Sequence, residues 1–156
     1  MKRLIMKNPR QLLLMCMLWM LVIMWFALCV GLSSQTRKET GKLSYSLADF
    51  IVETFHLPGT WISELNRVLR RSAHFFCFLV LSILAGTACV VTFQKSALAF
   101  TWPVFICVPF AFIDEIRKAG IPGRHCSILE AWINVGGCIS GTVLLGLVLW
   151  SICRKN

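Results

Sequence analysis

The sequence predicts an all-α membrane protein, a bundle of four transmembrane helices with amphipathic helices at the membrane surface in the first loop. Of the 156 residues, 57% are hydrophobic and only 15% are charged, and the mean hydropathy is +0.73. The apolar residues also form blocks of about 20 residues, which is the length that crosses a bilayer. This composition excludes a disordered chain and an ordinary soluble domain, and one domain over residues 1–156 is predicted.

The apolar blocks give the predicted spans in order. Leu12 to Leu32 runs for 21 residues without a charged side chain, and it is too long for the apolar part of a secretory signal, so we interpret it as a retained anchor. Pro103 and Pro109 fall within the third block and predict kinks, because neighbouring helices can satisfy the carbonyl groups that proline leaves free. The four predicted spans cover residues 12–32, 73–93, 96–113 and 131–152.

The first loop, residues 33–72, is too apolar for a flexible linker. Two of its segments repeat apolar residues at helical spacing, Leu47, Phe50, Ile51 and Phe55 in the first and Trp61, Ile62, Leu65, Val68 and Leu69 in the second. We predict two short amphipathic helices on the membrane surface. They are interpreted either as a lid over a site or as an interfacial packing element.

Charge asymmetry predicts the orientation. With four spans, residues 33–72 and 114–130 share one face of the membrane, and the two ends and the short turn at Gln94 and Lys95 share the second face. The second face holds seven cations and no acid, namely Lys2, Arg3, Lys7, Arg10, Lys95, Arg154 and Lys155. This pattern predicts termini in the cytoplasm, and it explains the excess of cations without nucleic-acid binding.

Eight cysteines are present, and most of them lie within the predicted spans. No Cys-x-x-Cys pair occurs, so the pattern supports neither a zinc site nor a redox motif. Packing inside the bundle is the predicted role of these thiols, and no metal or cofactor is expected.

Charged residues close to the ends of two predicted spans suggest a site. Arg70, Arg71 and His74 open the second span, where cations oppose the helix dipole, and Asp114 and Glu115 close the third span, where anions also oppose it. Unpaired charges within a membrane are rare. Because sequential spans are antiparallel, we expect the basic trio and the acidic pair to meet at one rim of the bundle.

The next loop and the fourth span add polar groups to this rim. Arg124 lies in a Pro-Gly-Arg turn, and Glu130 and Asn134 are i, i+4 neighbours at the start of the last span. Gly137 and Gly141 continue the same face as a seam of small residues, which allows close helix packing.

Two motifs in this region resemble those of VanZ-like membrane proteins. The run from Asn66 to Phe75 is similar to the family's R-K-x-x-H-F element, with Arg71 in place of the lysine. Asp114-Glu115, Pro122-Gly123-Arg124, Glu130, Asn134 and Gly137 resemble its second element in order and spacing. Cys77 and Phe78 stand where many members have Glu-Tyr, and this departure argues against a metal site.

The resemblance implies a multi-pass protein of the bacterial plasma membrane, related to one associated with low-level resistance to teicoplanin. One hypothesis is a binding protein in which Arg70, Arg71 and Arg124 hold the anionic head of a lipid-linked cell-wall intermediate or of a glycopeptide. In this hypothesis the acids hold the arginines in place, and Glu130 and Asn134 complete the ligand site. Membrane lipids are the other expected partners.

An intramembrane enzyme is the alternative, a transferase or hydrolase acting on a lipid or lipid-linked sugar. His74, Asp114 and Glu115 would then be catalytic, with His74 or Glu115 as general base and the arginines stabilising a developing anion. A third interpretation is a charge network that only holds the bundle together.

Overall fold

The computed structural model describes residues 8–34, 37–94, 98–121 and 126–155. Within these ranges all regular structure is helical, as predicted. The five helices are α1 (Pro9–Ser34), α2 (Arg37–Thr54), α3 (Trp61–Phe93), α4 (Leu98–Lys118) and α5 (Ile128–Lys155).

Three helices of the described chain, α1, α3 and α5, are long and apolar enough to cross a membrane. The third predicted span is also a helix, α4, but it does not belong to this group. Four of its last five residues are charged, and it contains Pro103 and Pro109. A fourth membrane crossing by α4 therefore stays a prediction.

The first loop differs from the prediction of two separate surface helices. Its first segment is α2, but its second segment, from Trp61, is the beginning of α3. No proline interrupts the chain between Trp61 and Phe93, so one helix of 33 residues forms. At 1.5 Å per residue this helix is about 50 Å long, about 20 Å more than the hydrocarbon core of a bilayer. The predicted second span is thus the C-terminal part of a longer helix.

Helix α2 packs against α3. Ala48 and Val52 of α2 are buried, whereas Leu47, Phe50 and Phe55 are exposed. The apolar stripe of this segment is therefore split between an inner face and an outer face.

The helices α3 and α5 pack side by side and run in parallel. A Cβ atom on Gly137 would collide with the carbonyl oxygen of Phe75, and one on Gly141 would collide with the carbonyl oxygen of Leu79. A step of four residues on α5 thus matches a step of four on α3. The two glycines bring the backbones together, as the small-residue seam predicts.

The helices α1 and α4 run antiparallel to α3. Trp19 and Trp25 of α1 donate their indole N–H groups to Thr92 Oγ1 at 2.9 Å and to the Cys77 carbonyl at 3.0 Å. The core between the helices is formed by Phe78, Leu81, Cys107, Ala111, Val135 and Cys138. All eight cysteines are free thiols, and four of them are buried.

Candidate functional site

A cluster of buried ionised groups lies at the C-terminal end of α4. Asp114, Glu115 and Lys118 are each no more than 2% exposed. The ammonium group of Lys118 forms an ion pair with Glu115 Oε1 and lies 3.5 Å from Asp114 Oδ2. Helical spacing of three and four residues brings these side chains together. Removing one partner from a buried ion pair is strongly destabilising, because the other charge is left buried without compensation.

Arg117 joins this cluster to the end of α1. Its guanidinium donates to Asp114 Oδ1 at 3.0 Å, to Ser34 Oγ at 2.7 Å and to the Val30 carbonyl at 3.3 Å. Ser33 adds a second link, because its hydroxyl donates to Asp114 Oδ2 at 2.7 Å. Asp114 therefore fixes the position of α1 against α4.

The first turn of α5 joins the cluster from the other side. The backbone N–H of Ser127 donates to Glu115 Oε2 at 3.3 Å, and Lys118 Nζ lies 3.5 Å from Glu130 Oε2. Ser127 also caps α5, since its hydroxyl accepts from the backbone N–H of Glu130 at 3.4 Å. The cluster therefore combines three carboxylates and two cations from α4 and α5 with hydroxyl groups from the end of α1.

The basic residues of α3 lie at the same end of the bundle. Phe78 stacks on Phe110 of the antiparallel helix α4, with ring centroids 5.6 Å apart. His74 precedes Phe78 by four residues and Asp114 follows Phe110 by four, so these two side chains lie at one level along the bundle axis. Arg71 is seven residues before Phe78, hence on the same face of α3 and one turn nearer its beginning.

Ion pairing at this rim differs from the sequence prediction. Asp114 and Glu115 pair with Arg117 and Lys118 of their own helix. Neither Arg70 nor Arg71, both partly buried, takes part in an ion pair or hydrogen bond with a described residue. Arg117 and Lys118 are three or four residues from the carboxylates on the same helix, so helix formation alone brings them within pairing distance. Pairing with α3 would also require two helices to pack together.

The dipole interpretation of Arg70 and Arg71 is also wrong. Helix α3 begins at Trp61, which places Arg70 in the third turn, and the field of a helix terminus falls off within the first turn. The two arginines are therefore not opposed by the helix dipole. His74, in the same part of α3, is partly buried.

Asn134 is the most unusual polar group of α5. It is 0% exposed, and its side-chain oxygen and nitrogen are both buried without a hydrogen-bond partner in the described structure. Such a group costs about 1–3 kcal/mol relative to a satisfied one. A ligand or water that bonds to the amide would remove this cost.

One predicted site residue, Arg124, lies outside the described residues. Among the described ones, no group of three or more His, Cys, Asp or Glu side chains is arranged to hold a metal ion.

Sequence reasoning missed both cations and all three serines of the cluster: Arg117, Lys118, Ser33, Ser34 and Ser127. The signal for Lys118 was present, because it follows Glu115 by three residues and Asp114 by four, as an intrahelical ion pair requires. Nothing in the sequence marks Ser33, since its contact with Asp114 depends on how α1 packs.

Fold and site together fit the class of helical integral membrane proteins with a polar cluster at one end of the bundle. A sequence model of the VanZ/LLP1 family matches residues 12–150. The chain therefore belongs to the VanZ/LLP1 family, which confirms the resemblance of its two motifs. No curated protein and no solved structure matches the chain.

Proposed function

We propose that this protein is a bacterial plasma-membrane protein that binds the anionic head group of a lipid or lipid-linked cell-wall intermediate at Arg70 and Arg71. One observation carries the proposal. The carboxylates at the rim are already paired with Arg117 and Lys118, whereas the two arginines of α3 have no ionic partner among the described residues.

Electrostatics favours an anion at this position. Arg70 and Arg71 are consecutive in α3 and partly buried, so two positive charges without an ionic partner among the described residues lie in a region of reduced dielectric constant. A phosphate or carboxylate bound at this part of α3 balances the positive charge. Guanidinium groups also bind such oxygens in pairs of parallel hydrogen bonds, which gives both affinity and orientation.

The length of α3 supports a site at the membrane boundary. If the last 20 residues or so of α3 cross the hydrocarbon core, Arg70 and Arg71 lie at the level of lipid head groups. With the termini in the cytoplasm, this level belongs to the outer leaflet. Lipid-linked precursors of the cell envelope and glycopeptides such as teicoplanin are encountered at that surface.

A binding role is better supported than catalysis. Asp114 and Glu115 already hold buried ion pairs, so neither is a free base. Their arrangement supports a structural role, the positioning of α1, α4 and α5 around the arginines.

Binding to nanodiscs tests the proposal. The full chain is placed in phosphatidylcholine discs, and retention of added phosphatidylglycerol is measured by native mass spectrometry. The double variant Arg70→Gln/Arg71→Gln is compared with Arg67→Gln, a control on the same helix whose arginine is exposed and already paired with Glu64 at 3.0 Å.

We expect wild type and Arg67→Gln to retain phosphatidylglycerol, and the double variant to lose about tenfold or more in affinity, since a charged hydrogen bond contributes about 1.5–3 kcal/mol. Equal retention by all three proteins would refute the proposal. In cells, the double variant should also lose any protection against teicoplanin while accumulating normally.

A further inference from the structure

We infer that Asn134 forms part of the same head-group site and that the ligand carries a hydrogen-bond donor beside its anionic oxygen, as in a phosphate ester with an adjacent hydroxyl group. This inference rests on the proposed function, because Arg70 and Arg71 supply the charge that holds the anion. It adds the chemical class of the ligand.

The register of α3 and α5 places Asn134 close to Arg71. Gly137 packs on Phe75, and Gly141 packs on Leu79. Because the two helices are parallel and Gly137 is level with Phe75, Asn134, three residues earlier, is level with Ser72, the residue next to Arg71. Asn134 also lies seven residues before Gly141, so it is on the face of α5 that meets α3.

Neither the nitrogen nor the oxygen of the Asn134 side chain has a hydrogen-bond partner in the described structure. The nitrogen offers two donors and the oxygen two acceptor sites. An asparagine loses its hydrogen bonds to water when it is buried, whereas a leucine of similar size has none to lose. Packing alone therefore does not explain an asparagine at a position that is 0% exposed.

The amide nitrogen needs an acceptor and the amide oxygen needs a donor, and these two needs define the groups that the ligand must carry. A fully ionised phosphate or carboxylate has acceptors only, so it would bond to the nitrogen and supply no donor to the oxygen. A hydroxyl group next to the phosphate donates to that oxygen and completes the set. Side chains at the rim must change rotamer to admit the head group, as is common when ligands bind.

Two lipids of equal charge isolate this contribution. Phosphatidylglycerol and phosphatidylmethanol both carry one phosphodiester anion, but only the first has hydroxyl groups. Each is added to the full chain in phosphatidylcholine nanodiscs, and affinities are compared for wild type, Asn134→Leu and Thr142→Val. Thr142 is the matched control, a buried polar residue of α5 whose hydroxyl is satisfied by the Cys138 carbonyl at 2.8 Å.

Wild type should prefer phosphatidylglycerol by about fivefold, the effect of one neutral hydrogen bond. Asn134→Leu should bind both lipids equally, and Thr142→Val should keep the preference. The ligand-free Asn134→Leu protein should melt at the same temperature as wild type or above it, because an unsatisfied buried amide is removed.

Other results separate this inference from the proposed function. Equal binding of the two lipids by wild type would overturn the role of Asn134 and leave the arginine site intact, and this comparison needs no variant. Failure of wild type to bind either lipid above phosphatidylcholine would overturn both. Competition by soluble glycerol phosphate at equal concentration would overturn the assignment to a lipid.

Discussion

Lys118 forms an ion pair with Glu115 one turn earlier on α4, and both residues are only 1% exposed. Because water does not reach this pair, each charge depends on the other for its stability. The pair also touches α5 through Glu130 and Ser127. It therefore fixes the end of the bundle at which Arg70 and Arg71 lie.

Replacing Lys118 by methionine should destabilise the protein. The change leaves Glu115 buried without its cation, which costs about 3–5 kcal/mol in comparable cases. Thermal unfolding in detergent measures the effect as a lower Tm. Lys155→Met is the control, since Lys155 is exposed in the last turn of α5, and its Tm should equal that of wild type. A variant at Lys118 as stable as the control would contradict the buried ion pair.

Adjacent glycines on α5 should differ sharply in their tolerance of a methyl group. Gly137→Ala places a Cβ atom against the backbone of Phe75, 3.1 Å from its carbonyl carbon, and overpacking of this kind costs about 1–3 kcal/mol. Gly136→Ala meets only the ring of Phe75 at 3.7 Å and should be neutral or slightly stabilising. Unfolding in detergent compares the two. Equal stability would show that α3 and α5 are further apart than described.

Helix positions could be predicted best where the apolar run is long and unbroken. The predicted first and fourth spans lie inside α1 and α5, because hydropathy marks residues that face lipid. The beginning of α3 was missed, since Glu64, Arg67 and Arg70 lower the hydropathy without breaking a helix. Hydropathy predicts which part of a helix crosses the membrane. Proline and glycine residues predict where the helix itself begins or ends.

The site was predictable in part for the same physical reason. Asp114 and Glu115 were expected to be paired with cations, and they are. Their partners were chosen across helices, although helical spacing already offered Arg117 and Lys118. The unsatisfied amide of Asn134 could not be predicted, because it depends on the packing distance between α3 and α5.

Two natural cysteines test the predicted orientation. Cys126 and Cys153 are both exposed and lie at opposite ends of α5. With the other six cysteines replaced, a membrane-impermeant maleimide should label Cys126 in intact cells and Cys153 only after permeabilisation. The reverse pattern would place the arginines on the cytoplasmic side. Labelling of both from outside would show that α5 does not cross the membrane.

The central claim is that Asp114 and Glu115 pair with cations of α4, so that Arg70 and Arg71 can bind a ligand. Double-mutant cycles test this claim most directly. Unfolding free energies are measured for Glu115→Gln combined with Lys118→Met, and for Glu115→Gln combined with Arg71→Gln. We predict a coupling energy of about 1–3 kcal/mol in the first cycle and less than about 0.5 kcal/mol in the second. A coupling of Glu115 to Arg71 as large as its coupling to Lys118 would contradict the assignment of the arginines to a ligand.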